Sequence, residues 1–567
     1  MAISIPVGDE SFDAIRESGL YYVDKTELIY DLVHNTKNKV TLFTRPRRFG
    51  KTLNMSMMES FFDIDRDSKA VFDGLDIMKH DAFCKEWMNK YPVLFISLKD
   101  VDGLDFESAF VSLKGTISDF CFKYSKVLDN PGIDPIDKAT FIALKEKKVE
   151  PAEIKSSLKT IMRMMHAVYG KPVILLVDEY DVPLAKASEK NTEQNRYYEK
   201  MLDVIKGMLS IALKTNEYLK FSIVTGCLRI AKESIFTGTN NFASYSVLED
   251  RFSKYFGFTQ AEVDDLLIAA ELSDKADTFK SWYDGYVFGN TSVYCPWDVV
   301  SYISALLYDR ASQPQNYWRN TSSNGILRDF VNHKKWGIPD KFETIMNGGT
   351  VTQEISDELT YDSLHDSEQN LWSILLMTGY LTKADPNAKG NTVALRIPNT
   401  EIEGIFADTV VKLFADTLDD SRQRELMNAL WDEDEEGATK QLSDFLWDTI
   451  SYMDYHEDYY HAFLAGLFVG LGYSVDSNKE SGLGRFDVFV KDRRNRRAML
   501  IEAKKSNTQD NMRADCDEAL KQIEEKGYSR SLEPGYEKFI KYGIAFFRKS
   551  AMVRKEKMCL NVEEPGR

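Results

Sequence analysis

Gly50, Lys51 and Thr52 close the eight-residue turn R-P-R-R-F-G-K-T, which follows the apolar run "KVTLFT" and precedes a helical pattern. That order suits phosphate chemistry. Backbone N–H groups and a helix N-terminus would face an anion, Lys51 would reach its outer phosphates, and the Thr52 hydroxyl would hold Mg2+. The glycine that ordinarily opens such a turn is Arg45 here, and Pro46 withholds one N–H donor. Arg45, Pro46, Arg47, Arg48 and Phe49 are therefore expected to meet a nucleotide through an altered cradle, in which arginines restore some of the lost attraction. A basic strand-to-helix turn without a ligand is the bland alternative.

The run "VILLVDEY" puts Asp178 and Glu179 at the carboxyl end of a buried strand. Adjacent acids there are costly unless they serve a cation or a reacting water. In this Walker B reading Asp178 holds Mg2+ through water and Glu179 orients or activates the water that attacks the γ-phosphate. Asp181 reads as a turn or helix-cap residue. At the end of the strand "LKFSIVTG", Thr225 is expected near the γ-phosphate or the water. Arg229 is assigned to transition-state charge, from the same or a neighbouring subunit, with a structural salt bridge as the equal alternative.

A third constellation lies in "GRFDVFVKDRRNRRAMLIEAKK". A turn centred on Arg494 and Asn495 makes Asp487 and Glu502 equidistant from it, so an antiparallel pair would set them opposite one another. Lys504 shares the face of Glu502, because side chains alternate with period two. Two facing carboxylates repel unless a divalent cation sits between them, and a nearby lysine steadies a water or developing charge. Metal-assisted phosphodiester chemistry is the expectation, with Asp487 and Glu502 as metal ligands. Arg493, Arg494, Arg496 and Arg497 at the tip would touch phosphates or simply face solvent.

These groups need scaffolds. The runs "KVTLFT", "YPVLFISL", "KPVILLVDEY" and "LKFSIVTG" are apolar on both faces and alternate with helical patterns, which predicts a parallel sheet covered on each side. Thr259 and Glu262 form a capping box that opens a helical lid. Residues 259–450 read as a helical lid and connecting region, with a winged-helix-like unit near 371–398, and the acidic run "WDEDEEG" as a solvated link between helices. From residue 451 the pattern becomes helix, hairpin, helix, strand: a second α/β unit. His456 and His461 on its first helix read as packing or surface groups.

Composition narrows the class. A chain of 567 residues exceeds one core, and 43% apolar with 28% charged residues is ordinary for a folded protein. The net charge of −17 excludes coating of nucleic acid by overall field, so any such contact must be local. The six cysteines are scattered without a C-x-x-C pair, which fits a reducing compartment rather than a zinc knuckle or disulfide framework. "MAISIPVGDESF" has no basic run ahead of an apolar core, and no apolar run nears the roughly 18 residues of a membrane span, so a cytoplasmic location without membrane contact is expected.

The blocks "YYVDKTELI", "TRPRRFGKT", "LLVDEYDVPL", "TGCLRIAKESIFTGTNN" and "WYDGYVFG...VYCPWDVV" together resemble the bacterial AAA-ATPase-like family, over roughly residues 5–302. The family's own turn resembles R-P-R-R-F-G-K-T, so Arg45 departs from the general pattern but not from this family. The resemblance implies nucleotide binding by Gly50, Lys51 and Thr52, with Asp178 and Glu179 as the acidic pair. "YYVDKT" is given a structural role, with contact to a base or ribose as the alternative. The spacing of Asp487, Glu502 and Lys504 resembles the PD-(D/E)XK nuclease superfamily, over roughly 455–549. That second resemblance implies that Glu480 and Gln522 join the site.

The expected fold is thus α/β: a P-loop NTPase parallel sheet at 1–258, the helical lid and linker at 259–450, and a restriction-endonuclease-like domain at 451–567. The expected function is ATP binding and hydrolysis with Mg2+, coupled to a nuclease-like domain that uses Mg2+ or Mn2+ on DNA. A nucleotide-gated DNA-binding or signalling module with an inactive nuclease fold is the alternative. Homo-oligomerisation follows if Arg229 acts across subunits.

Overall fold

The computed structural model describes residues 3–35, 38–188, 197–230, 242–320, 327, 330, 338–346, 348–356, 358–359, 361, 367–388, 390–406, 409, 420–449, 460, 464, 467–468, 473–481, 484–526 and 536–556. The chain forms two compact units, residues 1–325 with 350–402, and residues 326–349 with 403–567. Residues 259–450, expected as one connecting region, are divided between both units.

In the first unit the four expected strands form: β1 (Val40–Thr44), β2 (Val93–Ser97), β3 (Val173–Asp178) and β4 (Leu219–Gly226). After the two-residue β5 (Arg229–Ile230) comes β6 (Phe242–Tyr245), and the sheet runs β2-β3-β4-β1-β6 with every pair parallel. All residues of β1 and β3 are buried, as two-sided helical cover requires. Half-buried β6 at the edge was not expected, because "FASY" lacks the apolar density of an inner strand.

The register brings one end of each strand to a common edge: Ser97 lies beside Asp178, Val177 beside Val224, and Phe43 beside Thr225. Thr259 and Glu262 do form the expected capping box, on the helix Gln260–Ala269. The β-hairpin of β7 (Tyr286–Phe288) and β8 (Thr291–Val293) leads into the helix Pro296–Tyr308, which begins with proline at its first turn. Further along, β9 (Val351–Glu354) precedes β10 (Glu358–Leu359), which pairs in parallel with β5. The helix Glu368–Thr378 is followed by β11 (Thr382–Lys383) and β12 (Thr392–Arg396), in a small sheet ordered β11-β12-β9.

The second unit holds the sheet β13-β14-β15-β16-β17, formed by Ser474–Ser481, Gly484–Asp492, Arg497–Lys505, Lys538–Phe547 and Ser550–Lys555 in that order. Its β15-β16 pair is parallel and the other pairs antiparallel. The hairpin, helix and strand order expected after residue 484 is present, with the helix at Met512–Glu525, and β13 and β17 widen the sheet on either side. "WDEDEEG" links the helices Asp420–Trp431 and Glu435–Thr449, as read from sequence, yet Glu433 is not merely solvated: it pairs with Lys538 and Lys555 at 3.0 Å each. Most of the helix expected at 456–473, including His456 and His461, lies outside the described residues.

Candidate functional sites

The first site starts at Gly50. Its φ of +80° is left-handed, which costs a residue with a Cβ and nothing for glycine, and it lets the turn that follows β1 pass straight into the helix Lys51–Phe62. No side chain caps that helix, so its N-terminal amides are not claimed by a capping group. They border a cavity of about 570 Å³ lined by Arg47, Arg48, Phe49, Gly50, Lys51, Thr52 and Glu179, and further out by Tyr21, Tyr22, Phe258 and Trp297.

Asp178 is fully buried beneath this turn. Its carboxylate accepts hydrogen bonds from Thr52 Oγ1 (2.9 Å), from Ser97 Oγ (3.3 Å) and from the Thr225 hydroxyl. Burial, and then the neighbouring Glu179, push its carboxyl up to about 6, against the opposing hydrogen bonds of Thr225 and Thr52. Glu179 has a left-handed φ of +52°, a strained setting for a non-glycine residue. Its Oε1 pairs with Lys51 Nζ at 3.2 Å, while buried Oε2 accepts no hydrogen bond from the described residues. Lys51 also donates to the carbonyls of Arg45 (3.1 Å) and Pro46 (3.0 Å).

The donor set fits Mg2+ with a nucleotide: a threonine hydroxyl touching a desolvated carboxylate, beside a second acid with an orphaned oxygen and a lysine. Among the described residues no three or more His, Cys, Asp or Glu side chains converge on one point, and phosphate oxygens and water commonly complete such a Mg2+ shell.

Not every residue singled out in the sequence reaches the cavity. Arg45 is fully buried and turned away from it, donating to the carbonyls of Thr44 (2.9 Å) and Tyr245 (2.8 Å) and lying against Phe256 and Phe288. Burial lowers its guanidinium to about 9. It therefore fastens β1 to the segment of β6. Neither Arg45 nor Pro46 lines the cavity. Thr225 touches Asp178 instead of lining the space, and Arg229 of β5 lies over Phe242 of β6. Asp181 is buried, its Oδ2 accepting from the amides of Cys227 (3.0 Å) and Leu228 (2.9 Å) and from the Tyr361 hydroxyl (2.8 Å). Trp297 and Phe258 were not foreseen as cavity walls; the only signal was the aromatic density around the quoted blocks.

The second site sits on the β14-β15 hairpin. Its turn spans residues 493–496, and the register runs from Asp492↔Arg497 to Val488↔Ile501, so Asp487 and Glu502 are the residues that directly follow the last pair. Both acids are buried. Asp487 Oδ2 accepts the Ala503 amide at 2.8 Å, and Gln522 donates to Glu502 Oε1. Gly543 pairs with Glu502 across β15-β16, and a Cβ there would stand 2.2 Å from the Cys516 carbonyl. Glycine thus admits the helix Met512–Glu525 close enough for Gln522 to arrive. Lys504 follows on the face of Glu502, half-buried. Glu480 stands on β13 in register with Arg485 of β14.

The tip arginines divide. Arg497 pairs with Asp492 at 2.8 Å and lies 4.3 Å over Trp431, and Arg496 pairs with Glu537 at 2.8 Å. Burial would raise the Asp492 carboxyl, but hydrogen bonds from Asn495 and Arg497 outweigh it and hold the group low. Arg493 and Arg494 are exposed.

A P-loop-like parallel sheet with a buried acid under its turn, and a mixed sheet with paired acids on a hairpin, define two enzyme-like α/β domains. Comparison with known proteins agrees: residues 6–236 match the family described as predicted AAA-ATPase, and residues 455–556 match the PD-(D/E)XK nuclease superfamily. The chain therefore combines an AAA-ATPase-like domain with a PD-(D/E)XK nuclease superfamily domain. It is similar to a protein of Azotobacter chroococcum mcd 1 described as "Uncharacterized protein in vnfD 5'region", 25% identical over 561 residues and covering 97% of each chain. No solved structure matches it. Among the described residues no helix is long and apolar enough to cross a membrane.

Proposed function

We propose that this protein is a cytoplasmic ATPase that uses Mg2+ and governs a metal-dependent nuclease-like domain acting on DNA. The observation that carries the reading is the hydrogen bond from Thr52 to buried Asp178 beside Glu179, because it joins the phosphate turn to the acidic pair. In support of the second half, buried Asp487 accepts the Ala503 amide and buried Glu502 accepts Gln522, on neighbouring strands of one hairpin.

Bound Mg2+ would supply charge neutralisation at the phosphates near Thr52 and Asp178, and a divalent ion at Asp487 and Glu502 would supply an activated water. The chain's own groups do the rest. Lys51 leaves the carbonyls of Arg45 and Pro46 to hold the outer phosphates. Glu179 accepts a proton from, or orients, the attacking water, its backbone held near Thr225. Gln522 fixes the carboxylate plane of Glu502, and Lys504 offsets charge developing at the phosphodiester.

The test is plasmid DNA incubated with the purified protein and Mg2+ or Mn2+, with and without ATP. Cleavage is expected, and Glu502→Gln should remove it by a factor on the order of a thousand or more while leaving phosphate release from ATP in place. Cleavage that persists in Glu502→Gln would reassign the hairpin.

A further inference from the structure

We propose that the indole of Trp297 is the stacking surface for the nucleobase, with the phosphates on the Gly50-Lys51-Thr52 turn. This rests on the nucleotide reading above and adds to it where the other half of the ligand lies.

Trp297 lines the same cavity as the turn and is half-buried. Its Nε1 donates to the Tyr317 carbonyl at 3.1 Å, which fixes the ring's orientation. A Cβ at Gly8 would stand 3.5 Å from the ring, so backbone closes one side of it. Above the indole, 4.1 Å from its centroid, lies the guanidinium of Arg48. Arg48 belongs to the phosphate turn, is exposed, and holds a left-handed φ of +71° that a side chain with a Cβ disfavours.

A cation lying over an indole covers the ring face on which a planar base stacks. Arg48 thus covers the platform. When a base takes the ring, the guanidinium is released two residues from Gly50, within reach of phosphate oxygens. The other aromatic walls are otherwise engaged: Tyr21 and Phe258 pack against the apolar cluster around Leu266 and Tyr294, and the Tyr22 hydroxyl contacts Met57 Sδ at 3.2 Å.

The experiment compares calorimetric binding of Mg-ADP and Mg-pyrophosphate to the full chain, as wild type, Trp297→Leu, Trp297→Phe and Lys51→Ala. Trp297→Leu is expected to weaken ADP about tenfold and leave pyrophosphate unchanged, and Trp297→Phe to keep most of the ADP affinity. An unchanged ADP-to-pyrophosphate ratio in Trp297→Leu, or an equal loss of both ligands, would overturn the proposal. Lys51→Ala should weaken both ligands; if it weakens neither, the nucleotide reading itself falls and the platform with it.

Discussion

The two acid sites are built in opposite ways. Around the Gly50-Lys51-Thr52 turn, Ser97, Asp178 and Thr225 come from three strands that are far apart in sequence and meet only because the sheet orders β2, β3, β4 and β1 side by side. On the hairpin, Asp487 and Glu502 lie on neighbouring strands joined by one short turn, and a single later helix adds Gln522. The contrast teaches that a site assembled by sheet order depends on every strand that supports it, whereas a site assembled by one turn carries its own geometry.

That contrast can be broken by measurement. Thr225→Val removes a hydrogen bond to Asp178 from outside the phosphate turn, and phosphate release should fall by about tenfold to a hundredfold with ADP binding largely kept. Gln522→Ala removes the corresponding support at the hairpin, where Asp487 is still held by the Ala503 amide; DNA cleavage should fall by only about tenfold. If the hairpin variant proved the more severe, the comparison would be inverted.

Arg45 sharpens the same point. Arg45→Met leaves two carbonyls without their donor but removes a buried charge, so a net stability loss of about 1–3 kcal/mol is expected in chemical denaturation. Nucleotide affinity should change by less than about threefold, since the side chain does not face the cavity. A large loss of affinity without a loss of stability would return Arg45 to the ligand.

The smallest effect concerns Asp298 and Glu401, both fully buried within the first unit. Burial raises the Asp298 carboxyl to about 6, and burial with the neighbouring Asp298 raises Glu401 to about 10. Acids raised in the folded state favour folding least where they must ionise, so their penalty grows as pH climbs from the ordinary carboxylate range toward 10. Glu401→Gln keeps an oxygen for the Trp318 amide, which donates to Glu401 Oε1 at 2.8 Å. Its melting temperature should therefore decline less than that of the wild type between pH 5 and about 9; parallel declines would remove the pair from the account.

Much of this was legible in the sequence for local reasons. Two-sided apolar runs located β1 to β4, the capping box located the helix after Thr259, and counting outward from Arg494 and Asn495 gave the hairpin register as far as Val488 and Ile501. What was not legible depends on tertiary order. Arg45 looks like a phosphate ligand in a linear reading, and only the adjacency of β1 and β6 turns it inward to Tyr245. Thr225 stands near the end of β4 and Arg229 follows it by four residues, yet one supports Asp178 and the other lies over Phe242. Trp297 is some 250 residues from the turn it faces, and no local period announces that meeting.

The most direct test is phosphate release from Mg-ATP by the purified full chain and by Lys51→Ala, measured side by side. The account predicts steady release by the wild type and none above background in Lys51→Ala. Equal rates in the two proteins would contradict it.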